Sequence, residues 1–423
     1  MPAALDTVLI LLPIVLLAAA LRLWLLTRQQ RCLLSQRLNR GTDAANPDHR
    51  GIDAALARLD LERIETVAET AILSGWVIFL IPIIDAHGRS WGVPSIWLAV
   101  GAVGMVLGSQ GLLWLFLRAR AVYAIDAASG AGTPPVGLFM KDATTALLFA
   151  AAFVVPVVAA TASMMETGHP AWWIGAWMTW VSIMALRELA RPLVLASMAN
   201  RSQTLDDREL SQNLDDLLAR CGLPRAHVEV LDASRRSRRA NASVHGLGAV
   251  KRIFVHDTLL ALLSRPETVA VIAHELGHAR LRHHEQYLAG SAATGLLAFL
   301  GLAVAGEWLG ATIPAQLANL TAVLPAIGFL MRPIAIGVRH RWEYEADAFA
   351  ARHADAEALG RALERLHIVN IAPPQPDPFY AVFHHFHPDL RERLSRLDMI
   401  TRTDSWADQD AAGICEEPGR ACK

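Results

Sequence analysis

The chain has 423 residues, of which 53% are hydrophobic and only 19% charged, with a formal net charge of −1. Soluble domains carry about a quarter charged residues, so this balance points to a membrane protein rather than an ordinary soluble one. The near-zero charge also excludes a strongly basic nucleic-acid binder and a long acidic tail.

Seven apolar blocks approach the roughly 20 residues that a helix needs to cross about 30 Å of hydrocarbon. They lie near 6–26, 66–84, 96–117, 143–165, 171–192, 286–306 and 312–336. No arginine or lysine precedes the first block, whereas Arg28, Arg31, Arg37 and Arg40 follow it. It therefore reads as a retained span with the N-terminus outside, not as a cleaved signal. Arg118, Arg120 and Lys141 then fall on the cytoplasmic side, and Arg89 alone among basic residues falls in a short external loop. Trp24, Trp91, Trp97, Trp114, Trp172 and Trp308 sit near block ends, where an interfacial aromatic belt places them. Near the end of the fifth block, Glu188 either pairs with Arg187 or Arg191 at the interface or lines a hydrated cavity.

The expected organisation follows from these blocks. Residues 1–192 hold spans one to five, 193–285 form a cytoplasmic segment, 286–336 hold spans six and seven, and 337–403 form a second cytoplasmic segment. Residues 404–423 read as a mobile tail. The cysteines Cys32, Cys221, Cys415 and Cys422 make no C-x-x-C pair, so local spacing builds neither a zinc ribbon nor a redox motif. A reducing compartment argues against a Cys415–Cys422 disulfide. Arginine greatly outnumbers lysine, and with abundant alanine this points to a GC-rich source and a bacterial inner membrane.

Residues 264–285 read SRPETVAVIAHELGHARLRHHE. Ser264 and Glu267 have capping-box spacing, Pro266 suits a first helical turn, and Val269, Ile272, Ala273 and Leu276 recur at helical spacing. His274 and His278, four apart, therefore stand on one helix face and can reach a single zinc ion. Glu275, one position round, can reach water at the metal instead. Zinc lowers the pKa of water to about 7, so a neighbouring carboxylate can take its proton and later deliver it to a leaving amine. The bland alternative is a surface helix that happens to carry two of the chain's 16 histidines.

A catalytic zinc needs a third protein ligand. RWEYEADAFA at 341–350 offers Glu343 and Asp347 on one helix face, with Glu345 pointing elsewhere. Glu343 would be the third ligand, and Asp347 would orient a ligating imidazole.

HELGH before the last two spans and EYEAD after them resemble the CAAX prenyl protease 1 family, seven-span zinc metalloendopeptidases. Two further stretches are similar to its motifs: 232–246 followed by KRIFVHDTLL at 251–260, and His387-Pro388 with Glu392-Arg393-Leu394. Ser243 and Arg239 depart from the aromatic and histidine that the family often has there. The resemblance implies an all-α polytopic membrane fold of seven transmembrane helices with a cytoplasmic zincin-like α+β catalytic portion. It implies one zinc per chain, and an edge strand at Asn241 and Ala242, with Gly246 closing that stretch, for binding substrate backbone. His387 and Arg393 would donate to the developing oxyanion. The neighbouring His384 and His385 leave open which histidine faces the metal. The partners implied are a peptide or protein substrate, lipidated or not, and the lipid bilayer, with no nucleic acid; oligomeric state stays open. A bacterial quality-control metalloprotease without prenyl requirement and a non-catalytic zinc scaffold are the alternatives. The arginine run 235–239 reads either as a solvated face near the membrane or as a site for anionic headgroups.

Overall fold

A computed structural model of the chain describes residues 2–39, 47–198, 202–203, 205–223, 226–246, 251–370 and 375–413. The elements in chain order begin with α1 (Pro2–Asn39) and α2 (Pro47–Gly75), which continues through a π-helical turn into α3 (Ile81–His87). α4 (Ser95–Arg120) passes likewise into α5 (Ala127–Ser129) and is followed by α6 (Val136–Glu166) and α7 (Trp172–Met198). β1 (Ser202–Gln203), α8 (Arg208–Arg220), β2 (His227–Leu231), β3 (Ala242–His245) and β4 (Arg252–His256) come next. α9 (Asp257–Leu262), α10 (Arg265–Arg280), α11 (His283–Ala305) and α12 (Ile313–His353) precede α13 (Ala356–Val369), α14 (Pro378–His384) and α15 (Leu390–Gly413).

Among the described residues, six helical stretches are long and apolar enough to cross a membrane: Leu5–Asn39, Gly51–Trp91, Ser95–Ser129, Val136–Glu166, His283–Leu309 and Ile313–His353. Six of the seven expected blocks lie within them. The block at 171–192 forms α7 but does not join the set, because four tryptophans and the charges of Arg187 and Glu188 dilute its apolarity. Aliphatic residues such as Leu112, Val304 and Ile334 point outward and are exposed. With no water partner for apolar surface there, such faces suit lipid. Inside the bundle, Leu25, Leu26, Ile52, Ile81, Ala318 and Phe329 pack α1, α2, α3 and α12 together.

Glu188, 5% exposed, sits 2.9 Å from Arg187 and 3.4 Å from Arg191, with His284 Nε2 3.5 Å away. The structure gives this charge partners in Arg187, Arg191 and His284. Burying a lone carboxylate would cost several kcal/mol, and its neighbours on α7 and α11 remove that cost.

The mixed α+β portion is a four-stranded sheet of order β1-β2-β4-β3, with β2 parallel to β4 and β3 antiparallel to it. Ile253 and Val255 of β4 are fully buried against Leu214 and Leu217 of α8 and Ile272, Ala273 and Leu276 of α10. Leu210, Leu214, Leu217 and Leu218 recur on one face of α8, whose N-terminus Asp207 caps through the Leu210 N–H. β3 closes one edge of the sheet, so among the described residues one of its sides has no strand neighbour. α15 continues to Gly413, into the stretch expected to be a tail; once nucleated on packed residues, a helix adds one bond per residue. Cys415 and Cys422 lie outside the described residues.

One helix differs in kind from the expected pieces. The last apolar block and the EYEAD segment form a single 41-residue helix, α12. The membrane bundle and the third candidate ligand therefore share one rod.

Candidate metal centre

α10 begins where the sequence places it. Ser264 and Glu267 form a reciprocal capping box and Pro266 stands in the first turn. The helix then packs across α12 at Gly277. A Cβ built there would meet Ala346 Cα at 3.0 Å and Ala346 O at 3.2 Å, so only glycine permits this approach without displacing α12. The close crossing lets the two helices present their side chains to one point.

That point is formed by His274, His278 and Glu343, whose donor atoms all lie within 4.8 Å of one another. The two imidazole Nε2 atoms are 3.3 Å apart. Glu343 Oε2 is 3.6 Å from His274 Nε2, and Oε1 is 3.5 Å from His278 Nε2. Glu343 Oε2 is buried without an aligned hydrogen bond, although His387 Nδ1 lies 2.8 Å from it. Two imidazole nitrogens and one carboxylate make a donor set that suits zinc, with room for a fourth position. The residues fit the metal.

A second ring of groups fixes the first. Asp347 Oδ1 lies 2.9 Å from His274 Nδ1, though without hydrogen-bond alignment. Arg393 donates through Nε and Nη2 to the two Asp347 oxygens at 2.8 and 2.7 Å, and its Nη1 is 3.6 Å from Glu343. His278 Nδ1 is 2.9 Å from His283 Nδ1, and His283 Nε2 is 3.1 Å from Glu345, which accepts from Arg341. Glu345 does point away from the metal point, yet it ends a chain of bonds that orients His278.

The histidine cluster separates cleanly. His387 Nδ1 is 2.8 Å from Glu343 Oε2. His384 stacks on Tyr380 at 4.0 Å and faces Glu62 of α2 at 3.2 Å. The His385 carbonyl accepts from His340 at 2.8 Å, and burial pushes the His385 imidazole down to about 4.

A cleft of 270 Å³ brings Asn241, Ala242, His274, Glu275, Glu343, His387 and Arg393 together. Burial raises the Glu275 carboxyl above its usual range, which favours a group that holds a proton between transfers. Gly246 lies apart. It follows β3 with φ +109°, and its carbonyl accepts from Lys251 Nζ. The arginine run is neither a free face nor wholly a headgroup site. Arg236 donates to both oxygens of Asp142 on α6, and Arg239 donates to buried Asp126 at 2.9 Å, where Arg58 of α2 donates at 2.6 Å.

Sequence reasoning missed His283, Asp126 and Asn370. Asn370 follows α13 and lines the cleft, bonding to the Ala240 backbone. No motif or spacing marks these residues; only the fold brings them in.

The profile of Peptidase family M48 matches residues 204–401, and that of the CAAX prenyl protease N-terminal region, five membrane helices, matches 49–200. The chain is similar to the CAAX prenyl protease 1 homolog of Oryza sativa subsp. japonica, 30% identical over 298 residues that cover 65% of this chain and 67% of the relative. It is also similar to CAAX prenyl protease 1 of Saccharomyces cerevisiae, 31% identical over 259 residues, 54% of this chain and 56% of that one. The crystal structure of S. mikatae Ste24p superimposes with a TM-score of 0.80 over 94% of this chain and 99% of that chain, at 21% identity, a likeness of fold.

Bundle, sheet and His/His/Glu cluster together define a membrane-embedded metalloprotease, all-α in its polytopic part and α+β in its soluble part. The chain belongs to the CAAX prenyl protease 1 (Peptidase M48) family.

Proposed function

We propose that this protein is a zinc-dependent endopeptidase that cuts peptides or membrane-associated proteins at the cytoplasmic face of the membrane. The carrying observation is the convergence of His274, His278 and Glu343 within 4.8 Å, in a cleft that also holds Glu275 and the β3 edge. These three residues would hold one zinc ion, which when bound supplies acidity to water and polarises a carbonyl. Glu275 takes a proton from the attacking water and hands it to the leaving amine. Asp347 and His283 hold the two imidazoles in register. Arg393 and His387, both beside Glu343 Oε2, donate to the carbonyl oxygen as it gains charge. Asn241 and Ala242 hold substrate backbone by strand addition.

The membrane reading is seven spans, with α7 included through its paired Glu188, the N-terminus outside, and residues 193–285 and 337–403 as one cytoplasmic catalytic unit. Prenylated peptides enter as substrates through kinship with the rice and yeast relatives, whose names carry that activity. The test is Glu275→Gln in full-length purified protein. Zinc content should equal wild type while peptide turnover falls by about 10²–10⁴-fold. Undiminished turnover removes Glu275 from the mechanism. Turnover of one peptide with and without a prenyl group then decides the lipid requirement.

A further inference from the structure

The free side of β3 is not open along its whole length. In an antiparallel pair, successive residues alternate between facing the partner strand and facing away. His256 N–H donates to the Asn241 carbonyl at 3.0 Å, so Asn241 faces β4, and the register carries this on to Ser243 and His245. Arg239 faces the same way, its carbonyl accepting from Thr258. Ala240, Ala242 and Val244 therefore turn their N–H and C=O outward. Among the described residues no strand pairs with those of Ala242 and Val244, which leaves them to an added strand.

Ala240 is already occupied. Its N–H donates to Asn370 Oδ1 at 3.1 Å, and its carbonyl accepts from Asn370 Nδ2 at 3.2 Å. The carboxamide thus reproduces, with one side chain, the paired bonds that an added strand would make at that rung. α13, which ends just before Asn370, also walls this end of the cleft with Leu359, Leu363 and Leu366.

We propose that Asn370 is a specificity-determining residue that ends the substrate-binding edge at Ala240, and so limits how many residues a substrate can carry beyond the cut. The proposal rests on the protease reading of this cleft. A substrate adding antiparallel to β3, as β4 does, runs its C-terminal residues toward Ala240. Rungs on one side of a strand recur every second residue, about 7 Å apart. Past the residue paired with Ala242, there is room for one further residue before the substrate backbone meets the Asn370 carboxamide.

The experiment uses the full-length, zinc-loaded protein and one peptide sequence with two, four or eight residues C-terminal to the cleaved bond. Wild type should turn over the short-tailed peptide at least about tenfold faster than the eight-residue one, since the longer tail must displace two hydrogen bonds. Asn370→Ala should bring the two rates together by raising turnover of the eight-residue peptide relative to the two-residue one. Asn370→Asp, which accepts from the Ala240 N–H but cannot donate to its carbonyl, should fall between. If Asn370→Ala is too unstable to assay, the Asp variant decides: a length ratio unchanged from wild type overturns the proposal. An equal length ratio in wild type and the Ala variant overturns it as well, as does a wild type indifferent to tail length. If wild type cuts no peptide of any length, the protease reading itself fails and takes this proposal with it.

Discussion

Arg393 and Asp347 are 8% and 3% exposed, and their two parallel bonds make each the other's counter-charge beside the metal point. Removing one member strands a buried charge, whereas removing both does not. Arg393→Ala should therefore destabilise the protein by about 3–5 kcal/mol, and Arg393→Met with Asp347→Leu should recover much of that stability while activity stays lost. Thermal melting of the detergent-purified variants checks the first claim and peptide turnover the second. His274, Glu275 and His278 were readable as a set because a helix repeats every 3.6 residues, and four-apart spacing already implies one face. His387 was distinguishable from His384 and His385 only in space, since three histidines within four positions share every local signal.

The crossing of α10 and α12 is the element on which the centre depends. Gly277→Ala pushes a Cβ to 3.0 Å from the Ala346 backbone. It should cost about 1–3 kcal/mol and weaken zinc retention by separating the ligands. Gly290→Ala on α11, where a Cβ meets nothing within 4 Å, should change neither and serves as the control. Zinc content after dialysis and melting temperature report both. β3 carries a pH dependence of its own. Burial, aided by Arg191, pushes the His245 imidazole down from 6.5 to about 4. The unfolded chain thus binds the proton first, so this residue's contribution is intact above pH 6.5 and is lost as pH falls from 6.5 toward 4. His245→Asn should lose less melting temperature than wild type between pH 7 and pH 4.5. The capping box of α10 was legible because its partners are three residues apart, whereas the free edge of β3 depends on a sheet order that local patterning does not contain.

At the scale of the molecule, the soluble portion is tied to the bundle by ions as well as by α12. Asp126 accepts from Arg58 of α2 and from Arg239, two residues ahead of the Asn241 edge, and Arg236 holds Asp142. Asp126→Ala would leave two guanidinium groups facing each other. It should cost about 1.5–3 kcal/mol and loosen the segment ahead of β3. Faster trypsin cleavage at 235–239, with zinc content unchanged, is the expected readout. An unchanged cleavage rate would mean that Asp126 is not what holds this segment against the bundle.

By itself the sequence determined what is local: the apolar blocks, the helix that carries HELGH, its cap, and acids four apart on the helix after the last block. Each is written in a period of a few residues, and hydrophobic length or helical pitch suffices to read it. The tertiary structure decided what joins distant stretches. The last block and EYEAD form one rod; Gly277 sets the distance between that rod and α10; Asn370 reaches Ala240 across 130 positions; the arginine run grips acids of the membrane helices. Those pairings follow from how whole elements pack, and a carboxylate, guanidinium or carboxamide takes its partner from the packed fold rather than from its neighbours in the chain.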